Sequence, residues 1–167
     1  GNSAGLLVLF SVILTAFFSI FKTPVLYAFG ASDATIVYAR DYISIYLIGT
    51  IFVQLALGLN TYISGQGEAK IAMLSVLIGA VLNICLDPHM GVRGAAVATV
   101  LSQAVSAIWV VHFLVSEKSV MRLTLKNMHL KKDVIKMIAG LGISPFIMQS
   151  TESLVTITLN TGLQRYG

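Results

Sequence analysis

Residues 71–86 carry no charged side chain, and residues 3–21, 42–64 and 94–115 carry none either. A fifth stretch, 133–163, holds only Asp133, Lys136 and Glu152. A helix crossing the hydrocarbon of a bilayer needs about 20 mostly apolar residues at about 1.5 Å each. It also satisfies every backbone group internally, which lipid demands. The pattern therefore predicts an all-α polytopic membrane helix bundle with spans at about 3–21, 33–64, 69–87, 94–115 and 133–163. Composition agrees: 56% of residues are hydrophobic and 11% charged, against about 25% charged in an ordinary soluble domain.

Punctuation sets the expected boundaries. Lys22, Thr23 and Pro24 end the first span, since proline disfavours helix at the residue before it. Ser32 is an N-cap candidate for the second, whose first turns hold Arg40 and Asp41, and "SGQG" at 64–67 breaks it. Pro88 ends the third span, and Pro145 is expected to kink the fifth. Six of the eleven Lys/Arg fall in 118–136. Lys118, Arg122, Lys126, Lys131 and Lys132 face one acid, Glu117, in the 116–132 connection, and the positive-inside rule places that basic linker in the cytoplasm. The cluster reads as topology, so no nucleic-acid partner is expected. The expected setting is the bilayer of the cell (plasma or inner) membrane, crossed several times.

Several chemistries are not expected. Cys85 is alone, which rules out a disulfide framework within the chain. His89, His112 and His129 are scattered, so no zinc site is expected. "GQGEAK" at 65–70 lacks the spacing of a phosphate loop, and no H-E-x-x-H or G-x-S-x-G occurs. The chain is therefore read as no enzyme and as carrying no organic cofactor. It opens without a basic n-region or a small-residue cleavage site, so the first span is not a signal peptide. The start at Gly1 and the end at "LQRYG" suggest a piece of a longer protein.

Each span carries a polar stripe, because residues three and four apart share a helix face. The stripes run through Ser11, Thr15 and Ser19; through Gln54, Gly58, Thr61 and Gly65; through Ser75, Gly79, Asn83 and Asp87; through Ala95, Thr99, Ser102 and Ser106, with Gln103 nearby; and through Gln149, Glu152, Ser153, Thr156 and Asn160. Small and hydroxylated residues of this kind also serve plain helix packing. Asp87 and Glu152 are harder to dismiss, since a charge at mid-bilayer costs roughly 2.5–3.5 kcal/mol on insertion scales. No basic residue is expected inside a span to neutralise them. Asn83 and Asp87, one turn apart, put an amide oxygen and a carboxylate on one face. Hard cations take such oxygens, and a desolvated carboxylate can instead take a proton. Alternatively, Asp87 caps the outer end of its helix beside Pro88.

"FGAS" before the second span, "LNTYISGQGEAKIAML", "IGAVLNICLDP", "MGVRGAAVATVLSQ" and "GISPFIMQSTESLV" together resemble, in order and spacing, the multidrug and toxic compound extrusion (MATE) family. The resemblance implies part of a twelve-helix, two-lobe transporter. On it, residues 1–115 hold helices three to six of the first lobe, 116–132 the linker, and 133–167 the seventh helix, which opens the second lobe. The remaining helices would be its structural partners. The implied activity is export of amphipathic, often cationic, drug-like molecules by alternating access, coupled to Na⁺ or H⁺. The resemblance maps a first-lobe cation site onto Asn83, Asp87 and Thr99, with no other metal, and a second-lobe coupling acid onto Glu152. Gln54, Thr61, Ser102, Gln149, Ser153 and Thr156 are cavity-lining candidates. One departure stands out: family members continue past the Asp-Pro pair for roughly two turns, whereas Pro88 is followed at once by "HMGVRG". The expectation is that this stretch is omitted from the chain, which would put Asp87 well inside the membrane. Competing readings are a lipid-linked saccharide flippase of the same superfamily, disfavoured by the expected lack of Lys or Arg inside the spans, and a non-transporting membrane scaffold.

Overall fold

The structure is a computed structural model that describes residues 1–86, 91–124 and 131–166. It has six helices: α1 (Asn2–Ala28), α2 (Ile36–Ile48), α3 (Thr50–Gly65), α4 (Ala69–Leu86), α5 (Gly91–Val115) and α6 (Lys132–Tyr166). Among the described residues, four helices are long and apolar enough to cross a membrane, and the α2–α3 pair becomes a fifth span if counted as one.

α5 is the axis of the bundle, with α2, α3 and α4 packed around it. Its buried face is built largely from Gly94, Ala96, Ala98, Ser102, Ser106 and Ala107. In lipid, apolar contact between helices gains little over contact with acyl chains, so close approach through small residues supplies the attraction. A core of larger side chains, Leu59, Ile63, Val110, Phe113 and Leu114 with Ala4 and Ala72, gathers where α3 and α5 end and α1 and α4 begin. α6 packs mainly against α1. Near its two ends, Lys131 N–H donates to Asn2 Oδ1 at 2.9 Å and Asn160 Nδ2 donates to the Phe29 carbonyl at 3.1 Å.

The boundaries depart from expectation in three places. α1 continues through Lys22, Thr23 and Pro24 to Ala28. Proline removes one N–H, but membrane helices tolerate this where neighbours meet the freed groups. Here the last turn closes with Phe29 N–H on the Val25 carbonyl at 3.0 Å and Ala31 N–H on the Leu26 carbonyl at 3.0 Å. Lys22 therefore sits inside α1, about 9 Å from the helix end, and its Nζ donates to Ser44 Oγ of α2 at 2.8 Å. Arg93 likewise falls within the first turn of α5 and pairs with Asp41 Oδ2 of α2 at 3.0 Å. Both helices thus extend past the charge-free stretches and carry a basic residue near one end.

The second span is not one helix. It bends by 59° between α2 and α3, at Gly49. At the bend the backbone packs directly on α5: a Cβ on Gly49 would lie 2.5 Å from Val100 Cγ2. Thr15 Oγ1 donates to the Leu47 carbonyl at 3.1 Å, satisfying an acceptor at the end of α2. The start also shifts. The Ser32 carbonyl accepts from Ile36 N–H at 2.8 Å, while its hydroxyl pairs with Thr35 Oγ1 at 3.1 Å rather than capping an N–H. At Pro145 the helical assignment of α6 runs on without interruption.

Candidate functional site

The polar stripes of α4 and α5 face each other. Between them and α3 lies a cavity of about 280 Å³ whose polar lining is Ser75, Asn83, Thr99, Ser102, Gln103 and Ser106. Gly79 makes this approach possible, since a Cβ there would collide with Ser106 Oγ. At the end where α4 finishes and α5 starts, Asn83 Nδ2 donates to Thr99 Oγ1 at 3.1 Å. Deeper in, Ser106 Oγ donates to the Ser75 carbonyl at 2.8 Å and locks the register of the two helices.

The hydrogen bonds assign a chemical character to the cavity. Thr99 Oγ1 donates to the Ala95 carbonyl at 2.9 Å, Ser102 Oγ to the Thr99 carbonyl at 2.9 Å and Ser75 Oγ to the Ala72 carbonyl at 2.7 Å. Thr99 and Ser102 have therefore spent their protons on backbone oxygens, and the Ser75 proton is shared between the Ala72 carbonyl and Asn60 Oδ1 at 3.2 Å, so these hydroxyls face the cavity with lone pairs. Asn83 has spent an N–H on Thr99, and its Oδ1 accepts no hydrogen bond among the described residues. Only amide N–H groups of Asn83 and Gln103 remain as side-chain donors. The result is a neutral, acceptor-rich wall in a space large enough for about nine waters at about 30 Å³ each. Such a wall suits a hard cation, which seeks oxygen ligands. Among the described residues no cluster of three or more His, Cys, Asp or Glu exists to hold a metal.

Of the residues singled out from the sequence, the structure brings Asn83, Thr99 and Ser102 together. Asp87, the next residue beyond α4, lies outside the described residues. Gln54 is half-buried on α3 and does not line this cavity. Thr61 lies on α3 beside α1, in a separate cavity of about 260 Å³ reached also by Leu7 and by Ile138 of α6. Gln149, Glu152, Ser153 and Thr156 lie on α6, away from Asn83. There Gln149 Nε2 donates to Glu152 Oε2 at 2.8 Å, and Thr156 Oγ1 donates to the Glu152 carbonyl at 3.0 Å.

Two polar residues were missed in the sequence. Asn60 joins α3 to α4: its Nδ2 donates to the Ala72 carbonyl at 3.2 Å and its Oδ1 accepts from Ser75 Oγ at 3.2 Å. Its signal was simply an amide within an apolar span, on the face that buries Ala56 and Ile63. Gln66 sits in the turn after α3, and its Oε1 accepts from Ser119 Oγ at 3.0 Å and from Val120 N–H at 2.8 Å. Nothing in the sequence marks a contact between residues so far apart.

A sequence model of the MatE family matches residues 1–89. The chain is 28% identical over 143 residues to the multidrug export protein MepA of Staphylococcus haemolyticus, covering 82% of this chain and 32% of that protein. Against MepA of Staphylococcus aureus it is 26% identical over 144 residues, covering 83% and 32%. A solved structure, the inward-facing conformation of a multidrug resistance MATE family transporter of the MOP superfamily, superposes with a TM-score of 0.82 at 26% identity, covering 91% of this chain and 36% of that one. The chain therefore spans about a third of the length of the curated relatives it matches.

Proposed function

Because the chain belongs to the MatE family, we propose that it forms part of a cation-coupled multidrug exporter of the cell membrane. In this reading the protein moves amphipathic, often cationic small molecules outward as Na⁺ or H⁺ moves inward. The observation that carries the coupling is the acceptor-rich cavity with Asn83 donating to Thr99 at its mouth. An entering cation exchanges hydration water for Asn83 Oδ1 and hydroxyl oxygens, and Asp87, four residues on in the sequence, supplies the countercharge. The neutral oxygens of the described lining suit Na⁺, while the carboxylates of Asp87 and Glu152 can take either Na⁺ or H⁺. Ion binding drives export only through a difference in affinity between the inward- and outward-open states, and the drug must sense the same two states. Glu152, held by Gln149, is a second coupling group on α6.

The flippase reading gains nothing from Lys22. Although inside α1, it donates to Ser44 and does not line the cavity, so it offers no cationic floor for a lipid-linked phosphate.

The test is ethidium export by the full-length protein in proteoliposomes, with Na⁺ and H⁺ gradients imposed separately. Export is expected to follow one of the gradients, and Asp87→Asn and Glu152→Gln are expected to lose it while expression holds. Wild-type export in both variants sinks the coupling role, and wild-type protein driven by neither gradient sinks the antiporter reading.

A further inference from the structure

We propose that the bend between α2 and α3 is a two-position hinge, biased towards its bent form by Thr15 of α1 and away from it by Thr50 of α3. The bias rests on the hydrogen bonds at the bend; its use in transport rests on the export reading above.

Thr50 is the hydroxyl left stranded by the bend. Its Oγ1 has under 1 Å² of accessible surface and no hydrogen-bond partner among the described residues. A buried hydroxyl left unmet carries a penalty and calls for an explanation. Hydroxyls along these helices commonly bond a carbonyl three or four residues back: Ser44 to Arg40 at 2.6 Å, Thr61 to Gly58 at 2.8 Å and Thr99 to Ala95 at 2.9 Å. For Thr50 those carbonyls belong to Tyr46 and Leu47, and in the bent form both serve other donors. The Tyr46 carbonyl accepts from Gly49 N–H at 2.9 Å. The Leu47 carbonyl accepts from Thr15 Oγ1 at 3.1 Å.

A helix running straight through Gly49 reverses these assignments. The Leu47 carbonyl then faces the N–H of Ile51, four residues on, and no longer needs Thr15. The Thr50 hydroxyl regains a carbonyl one turn back, the usual partner of a helical threonine. Packing acts the other way, because in the bent form Gly49 sits against Val100 with no room for a Cβ. Hydrogen bonding at Thr50 therefore opposes what packing at Gly49 and the Thr15 bond favour, and such opposition keeps two positions close in free energy. The ties on the moving arm are lenient. Arg93 on Asp41 is an exposed ion pair, which contributes little, and Lys22 reaches Ser44 through a flexible four-carbon stem. Each 10° of straightening carries the far end of α2 about 3 Å, for an arm of about 20 Å at 1.5 Å per residue.

The experiment measures spin-label distances by pulsed electron paramagnetic resonance on the full-length protein in proteoliposomes. Labels sit at Val37→Cys on α2 and Ser64→Cys on α3, both exposed positions, in an otherwise cysteine-free background. Arms of about 20 and 24 Å put the ends about 38 Å apart at the observed 59° and about 44 Å apart when straight. Wild type is expected to show a short and a longer distance, in a ratio that moves with Na⁺, acidic pH or ethidium. Thr50→Val removes the stranded hydroxyl and should raise the bent-to-straight ratio about threefold, the weight of one hydrogen bond between membrane helices. Thr15→Val should lower it by a similar factor, with Thr15→Ala as a second removal if the valine protein misfolds. Thr50→Ser should keep the wild-type ratio. Ethidium export should slow in both valine variants. One distance under every condition overturns the hinge. Shifts of the same sign in Thr15→Val and Thr50→Val overturn it too, because a general loss of packing gives that pattern. Opposite shifts with unchanged export overturn its use in transport. A wild type driven by neither gradient overturns the parent reading, and the distances still decide the hinge.

Discussion

Asn83 Nδ2 lies 3.1 Å from Thr99 Oγ1, and this contact turns two separate polar stripes into one site. The same hydroxyl donates to the Ala95 carbonyl at 2.9 Å, so Thr99 both receives Asn83 and is fixed in rotation by its own helix. With its amide nitrogen engaged, Asn83 keeps an oxygen that accepts no hydrogen bond among the described residues.

Thr99→Val is expected to abolish ion-driven export, while Thr99→Ser retains most of it because the hydroxyl remains. A double-mutant cycle of Asn83→Ala with Thr99→Val, read by unfolding in detergent, should give a coupling of about 0.6 kcal/mol, the average for hydrogen bonds between membrane helices. Additive stability losses would show that the two side chains do not meet.

Gly49 is the point at which the second span bends, and Val100 is what it bends around. Gly49→Val is expected to destabilise the protein by about 1–3 kcal/mol, the usual range for overpacking. Val100→Ala combined with it should recover most of the loss, since the colliding methyls are those of Val100. Thermal unfolding of the three variants checks this, and an unrecovered double variant would place the strain in the backbone instead.

These two cases also mark how far the sequence could be read. The spans at 69–87 and 94–115 were legible because their boundaries coincide with turn residues and the inter-helix polar stripes repeat at helical spacing. The pairing of Asn83 with Thr99 followed once those stripes were drawn and the family resemblance was noticed. The bend at Gly49 was not legible, because a lone glycine in an apolar run gives no local signal and the residue it packs on, Val100, lies less than a third of the chain away. Pro24 misled in the opposite sense: as a local breaker it was read as a stop, while the close of α1 is decided by the turn at 29–31. Lys22 was thereby placed beyond the helix although it lies within α1. Asn60 was passed over because stripes were drawn through Gln54, Gly58 and Thr61, whereas α3 buries Ala56, Leu59 and Ile63.

Asn60 now carries a prediction of its own. It is the one side chain of α3 that bonds both a backbone carbonyl and a hydroxyl of α4. Asn60→Leu removes both bonds and leaves the Ala72 carbonyl with less compensation, an expected loss of about 1–3 kcal/mol. Asn60→Asp should cost more, since it keeps an acceptor facing a carbonyl and brings a charge into the bundle. Equal stability of Asn60→Asp and wild type, measured by the same unfolding assay, would contradict the assigned bonds.

Gln66 and Ser119 yield the last prediction. Ser119 is 4% exposed and Val120 beside it 86% exposed, so one bond of chain separates a buried position from an open one. The difference is made by Gln66 Oε1, which takes the Ser119 hydroxyl and the Val120 and Met121 N–H groups together. The segment that leaves α5 is thereby pinned to the turn between α3 and α4, and Leu123 N–H on the Leu114 carbonyl at 2.8 Å folds it back against the core. In a Cys85→Ser background, Ser119→Cys is expected to react with a hydrophilic maleimide at least about tenfold more slowly than Val120→Cys, as protection by a closed local structure requires. Adding Gln66→Ala should bring the two rates close together. Gln66→Glu retains an acceptor and should preserve most of the protection. If Ser119→Cys labels as fast as Val120→Cys with Gln66 intact, the segment is not docked. If Gln66→Ala leaves the protection unchanged, the backbone bond of Leu123 rather than the Gln66 amide is what holds it.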